Sequence, residues 1–189
     1  SLRGPHEPGF PYYILTAVVV PATDMEALRE GLEDLVGGTY WHTSEEMLKS
    51  GGYEKTKELL TYLSQGKETS VVSVNLDIKQ GDDDLEGARR HCMRLLLTAL
   101  QQETELRDPS RLAVMEQRRG RTLQNRDART YTELVNQKVV SQHFRVLQVS
   151  PRDEHLLWLP DLVSRAVRRQ VAFKDNQLID ILSGRLERL

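Results

Sequence analysis

The sequence predicts an α/β fold, a mixed central sheet flanked by helices. Four short runs rich in β-branched and aromatic residues recur, at Tyr12–Val20, Thr69–Ile78, Arg111–Glu116 and His143–Val149. Between them lie longer stretches with apolar residues at helical spacing, the alternation from which layered α/β folds are built. The clearest helical stretch is Leu156-Leu-Trp-Leu-Pro-Asp-Leu-Val-Ser-Arg-Ala-Val-Arg-Arg169, where Leu159, Leu162, Val163, Ala166 and Val167 fall on one face.

The opening residues, Ser1 to Pro11, hold three prolines and two glycines and read as loop. Tyr12 to Val20 is apolar on both faces, the pattern of a strand covered on two sides. Pro21 ends it. Thr23 or Asp24 is placed to cap a helix running to about Val36, with Met25, Leu28, Leu32 and Leu35 inward, and Gly37-Gly38 stops it. Tyr40-Trp-His42 is a short extended piece. Thr43-Ser-Glu-Glu46 resembles a capping box. Gly51-Gly52 separates this turn from a helix at about Tyr53–Ser64. Thr69–Ile78 alternates as a strand, and Gln80–Asp84 reads as a polar turn before a helix over about Leu85–Glu105. Arg111–Glu116 is a third strand. The arginine-rich stretch Gln117–Arg129 has little apolar content and reads as loop, with a helix over about Ala128–Val140. His143–Val149 is the fourth strand and Pro160 opens the next helix, where its missing N–H is not needed. Residues 1–173 are expected as one domain. The tail 174–189 carries Leu178, Ile179, Leu182 and Leu186 at helical spacing and is expected as a C-terminal helix that docks or pairs with a second chain.

Composition narrows the function classes. The formal net charge of -2 gives no global basic signal for wrapping a long duplex. The single cysteine, Cys92, excludes an internal disulfide and any multi-cysteine zinc site. The longest apolar run, about Ile14 to Val20, is too short to span a bilayer. A cytoplasmic, reducing setting without a membrane partner is expected. The Asp82-Asp83-Asp84 run lacks the spacing and glycine of a calcium loop, and no phosphate-cradling glycine motif or nucleophile elbow is present.

Carboxylates at strand ends and helix starts suit a two-metal site, in which two magnesium or manganese ions roughly 3.5–4 Å apart activate water and stabilise the leaving oxygen. Glu116 closes the third strand, Asp161 opens the late helix and Asp127 precedes a helix. Each has a plainer reading as a surface or capping carboxylate, and Asp161 in particular suits the helix dipole. His42 is a candidate ligand or general acid/base. Arg118, Arg119, Arg121, Arg126 and Arg129 form the dense basic cluster, and guanidinium groups beside metal ligands suit a phosphate backbone.

These pieces, in this order, resemble a large prokaryotic family of unknown function with a ribonuclease-H-like fold. Its members open with Asp-Glu-Ser on a first strand. An aromatic-rich strand like Tyr12-Tyr-Ile-Leu-Thr-Ala-Val-Val-Val-Pro21 follows, then a short strand ending in histidine like Tyr40-Trp-His42. A middle strand ends in an acid as Val114-Met-Glu116 does, and a late apolar-Asp-Leu motif matches Leu159-Pro-Asp161-Leu162. The actinobacterial branch, with Asp-Glu-Ser-Leu-Arg and Leu-Leu-Trp-Leu-Pro-Asp, is the most similar, and the match spans roughly residues 1–170.

The resemblance implies a ribonuclease-H-like domain and a magnesium- or manganese-dependent nuclease acting on phosphodiesters, with nucleic acid as partner. Ser1-Leu-Arg-Gly4 looks like the tail of the opening motif without its Asp-Glu, whose acid the resemblance makes the central metal ligand, so the expectation is a chain cut short of its start or, as the less favoured alternative, a copy that lacks this ligand. A missing first strand would expose an edge beside the Tyr12 strand, through which copies could associate. The competing expectation is a non-catalytic binding or assembly module on the same fold. An acyl or glycosyl hydrolase is weaker, because no nucleophile with a neighbouring base and no close carboxylate pair is visible.

Overall fold

The computed structural model describes residues 12–76, 78, 82–101 and 112–189. The expected opening loop at 1–11, residues 80–81 of the expected polar turn and residues 102–105 of the expected long helix lie outside the described residues.

The chain is mixed α/β. Strand β1 (Tyr13–Val19) is followed by helices α1 (Met25–Val36), α2 (Thr43–Glu46) and α3 (Gly52–Gln65), strand β2 (Thr69–Asn75) and helix α4 (Asp82–Gln101). Strand β3 (Leu112–Glu116), helix α5 (Arg121–Asn136), strand β4 (Arg145–Val149), helix α6 (Trp158–Phe173) and strand β5 (Leu186–Arg188) complete it. The described strands form two sheets rather than the single one expected. β2 lies between β1, which it pairs antiparallel, and β5, which it pairs parallel; β3 and β4 form a separate parallel pair.

Both faces of the β1–β2 pair are covered, as the two-sided apolar pattern requires. Ile14 and Val72 join a core with Leu32 of α1, Leu59, Leu60 and Leu63 of α3 and the inward face of α6. On the other face, Tyr13 packs with Ala88 and Cys92 of α4, and Val71 with Leu96 and Ala99. The predicted stripe of α6 is fully inside: Leu159, Leu162, Val163, Ala166 and Val167 are all at zero exposure. Helix α4 also serves the second sheet. Its Met93 and Leu97 pack with Phe144 and Leu134, with Ala113, Met115 and Val146 of the β3–β4 pair against them and Leu15 of β1 reaching the same cluster.

Three local expectations are corrected. The tail is not a helix. Asp180–Leu182 makes one 3-10 turn, Gly184 has φ +83° and ends it, and β5 adds to the edge of β2. Leu178 and Leu182 are at zero exposure within this chain's own core, so they are not available to a partner. Helix α5 begins at Arg121, inside the stretch read as loop. Its inward positions, Asp127, Thr130 and Leu134, are largely polar, which hides the periodicity. The capping box does not form: Thr43 is already helical and buried, His42 is the residue before the helix, and neither caps α2 with its side chain. Gly37, by contrast, stops α1 as expected, with φ +71° and its N–H donating to the Glu33 carbonyl at 2.8 Å.

Candidate functional site

The parallel strands β3 and β4 end side by side, and carboxyl ends of parallel strands are where ligands of α/β proteins gather. Glu116 is the last residue of β3. The first turn of α6 brings Asp161, and the segment entering α2 brings His42. The Glu116 carboxyl keeps an open surface, yet the protein crowding its flanks raises it above the ordinary carboxylate range. The facing Asp161 carboxylate pushes it further up and the His42 charge pulls it back. Two residues far apart in sequence, His42 and Asp161, therefore both act on the Glu116 carboxyl.

Asp161 is anchored. The backbone N–H of Thr43 donates to its Oδ2 at 2.9 Å. This one bond supplies the cap that α2 lacks from its own side chains and fixes the carboxylate of α6. Thr43 is itself held by its neighbour, because Trp41 Nε1 donates to Thr43 Oγ1 at 2.9 Å within the core. Ser164, one turn further along α6, donates to Thr16 Oγ1 of β1 at 2.8 Å and ties the helix to the sheet.

Asp127 does not join this group. It lies within α5 rather than before it, is 3% exposed, and receives both Nε and Nη2 of Arg89 at 2.7 Å. Arg89 also donates to Tyr13 Oη of β1 at 2.7 Å. Burial opposes the Arg89 charge, but Asp127 and Tyr13 outweigh it and the guanidinium holds its proton more tightly than usual. Arg118 is corrected as well. Its guanidinium makes a two-pronged pair with Glu86, at 2.6 and 3.0 Å, and lies 3.4 Å from Asp127. The ordered chain Glu86–Arg118–Asp127–Arg89–Tyr13 is a structural network that links α4, α5 and β1. Arg126 stands 3.9 Å from Glu86 at its edge.

Arg119, Arg121 and Arg129 are exposed. Of these, Arg119 is placed near the site: its charge acts on the phenol of Tyr40, two residues before His42. Arg152, in the turn after β4, lies with its Cζ 5.8 Å from the centre of the Tyr40 ring. Neither Tyr40 nor Arg152 was singled out from sequence. Tyr40 belonged to a run noted for its histidine, and Arg152 sits alone in a Pro-containing turn with no motif to mark it.

Among the described residues, no group of three or more histidine, cysteine, aspartate or glutamate side chains is close enough to share a metal ion. No helix among the described residues is long and apolar enough to cross a membrane. Comparison with protein-family models, with curated proteins and with solved structures finds no match.

Proposed function

We propose that the chain is a divalent-metal-dependent hydrolase of phosphodiesters, with its working face at the ends of β3 and β4. One observation carries this: Asp161, at a helix start, raises the proton affinity of Glu116, at a strand end, and the arginines nearby, Arg89 and Arg118, are paired with other carboxylates. Two carboxylates left to repel one another at an open strand end are arranged for a cation or a proton. The donor chemistry fits one magnesium or manganese ion, which is commonly held by one or two carboxylates with waters and substrate phosphates completing the shell. No set of three or more protein ligands for any ion is present among the described residues, so waters and substrate would supply most of the shell. A bound ion would supply Lewis-acid polarisation of the phosphate.

The chain's own residues account for the remaining tasks. Asp161, fixed by Thr43, sets the position of negative charge. Glu116, at the open strand end, is placed to take the proton of the attacking water when Asp161 holds the ion. His42 is placed to return a proton to the leaving oxygen. Arg119 and Arg152 offer planar donors to phosphate oxygens. The ribonuclease-H-like resemblance supports the same reading through Glu116, Asp161 and His42.

Isothermal calorimetry with magnesium and with manganese tests the proposal, beside hydrolysis of a labelled oligonucleotide. Wild type should bind ions and cleave, and Glu116→Gln and Asp161→Asn should each lower cleavage by at least about 100-fold. Equal rates in all three proteins would remove both carboxylates from the mechanism. Repeating the titration with Asp-Glu placed ahead of Ser1 tests the opening motif that the resemblance supplies.

A second reading, a non-catalytic assembly module, is favoured by a separate observation. Asp127 and Arg118, expected at the chemistry, are spent on structure. Absence of ion binding in both chains, with specific capture of a protein partner, would select it.

A further inference from the structure

We propose that Tyr40, with Arg152 and Arg119, forms a stacking platform that selects an unpaired nucleobase, so that the substrate is single-stranded nucleic acid. The inference rests on the phosphodiester reading above and names its substrate class. Tyr40 is 45% exposed, a large apolar ring left open beside charged groups. It is held in place rather than loose. Its hydroxyl donates to Glu45 Oε2 at 3.1 Å, Arg152 stands over the ring, and the next residue, Trp41, is buried at 5% exposure. Glu45 comes from α2 and Arg152 from the turn after β4, while Arg119, in the turn after β3, lies close enough for its charge to act on the Tyr40 phenol.

An aromatic ring flanked by guanidinium groups is a poor partner for a closed duplex, whose bases are already stacked. It is a good partner for an exposed base, because every base has a π-face and its phosphates lie within reach of the arginines. The chain's slightly negative total charge agrees with this. A local basic-aromatic patch can hold a few nucleotides of single strand, whereas wrapping a long duplex requires a broad basic surface. The platform stands at the same end of β3 and β4 as Glu116, two residues from His42. A base seated on Tyr40 would set its neighbouring phosphodiester before the acidic pair.

The test is fluorescence anisotropy with labelled probes of about 12 nucleotides, within the range of sites that a single-strand-binding fold covers. Single-stranded DNA, single-stranded RNA and duplex DNA are compared in magnesium with Glu116→Gln, which keeps the probes intact. Single strands should bind at least about 10-fold more tightly than duplex. Tyr40→Ala in that background should weaken single-strand binding by about 5- to 150-fold, the range of one lost stacking contact. Tyr40→Phe, which keeps the ring, should retain most of the affinity, and thermal melting checks that each variant is folded. Arg119→Ala should lower the salt dependence of binding. Single-strand binding that survives Tyr40→Ala, or duplex bound as tightly as single strand, overturns the platform while leaving the phosphodiester reading standing. No binding of any probe, by this variant or by wild type kept inactive without magnesium, overturns both.

Discussion

Two carboxylates of this chain have opposite relations to stability. Glu116 has its proton affinity raised, first by lost hydration and then by Asp161. Its neutral form therefore suits the folded state, and the stability that this adds is present at low pH and lost as pH rises through the raised value. Glu116→Gln should accordingly be slightly more stable than wild type at neutral pH, by less than about 1 kcal/mol because the group is open to solvent. The gap should close below about pH 4, where the carboxyl is protonated in both states; urea unfolding across pH measures it. Asp127 is held by structure. It is the carboxylate partner of a buried arginine, and Asp127→Ala should cost about 3–5 kcal/mol by stranding the Arg89 charge. Equilibrium denaturation that places this loss under about 1 kcal/mol would show that Arg89 has an equally good alternative partner.

At the scale of elements, legibility followed the source of the signal. Helix α6 was visible because its inward stripe is wholly apolar, and β1 because both of its faces are. The start of α5 was hidden, since its buried positions are Asp127 and Thr130, polar residues that belong inside only once Arg89 of α4 is known. The tail misled for a related reason. Leu178 and Leu182 do share a buried face, but Gly184 and the free edge of β2 turn the following residues into a strand. Glu116 and Asp161 were readable as a strand end and a helix start. Their convergence was not, because it is a property of the packing of α6 against β1 and of Asp161 against Thr43. Leu182→Ala tests the corrected tail. Truncating a side chain at zero exposure should cost about 2–5 kcal/mol, whereas a loosely docked tail would lose almost nothing in a thermal melt.

For the molecule as a whole, acid is the expected weakness. Glu86, held down by the Arg118 hydrogen bonds, and Glu154, held down by those of Arg29, both have proton affinities below the ordinary carboxylate range. Groups shifted this way stabilise the fold above their unfolded values, and the contribution is lost as pH falls through the folded ones. They join different elements: Glu86–Arg118 clasps α4 to the segment after β3, and Arg29–Glu154 clasps α1 to the residue before the 3-10 turn His155–Leu157. Acid should therefore weaken both clasps together, and circular dichroism should show cooperative unfolding beginning below about pH 4. Arg29→Ala and Arg118→Ala should each move that midpoint toward neutrality.

The pairing of β5 with β2 also bears on synthesis. Leu178, Leu182 and Leu186 seal the cluster built by β1, β2, α1, α3 and α6, and they follow every one of those elements in the sequence. A ribosome adding about 5–20 residues per second holds that cluster open until these three leave the exit tunnel. Force-sensitive stalling at successive lengths should accordingly register the main folding event after residue 182 has emerged, with the β3–β4 unit and its helices free to assemble earlier.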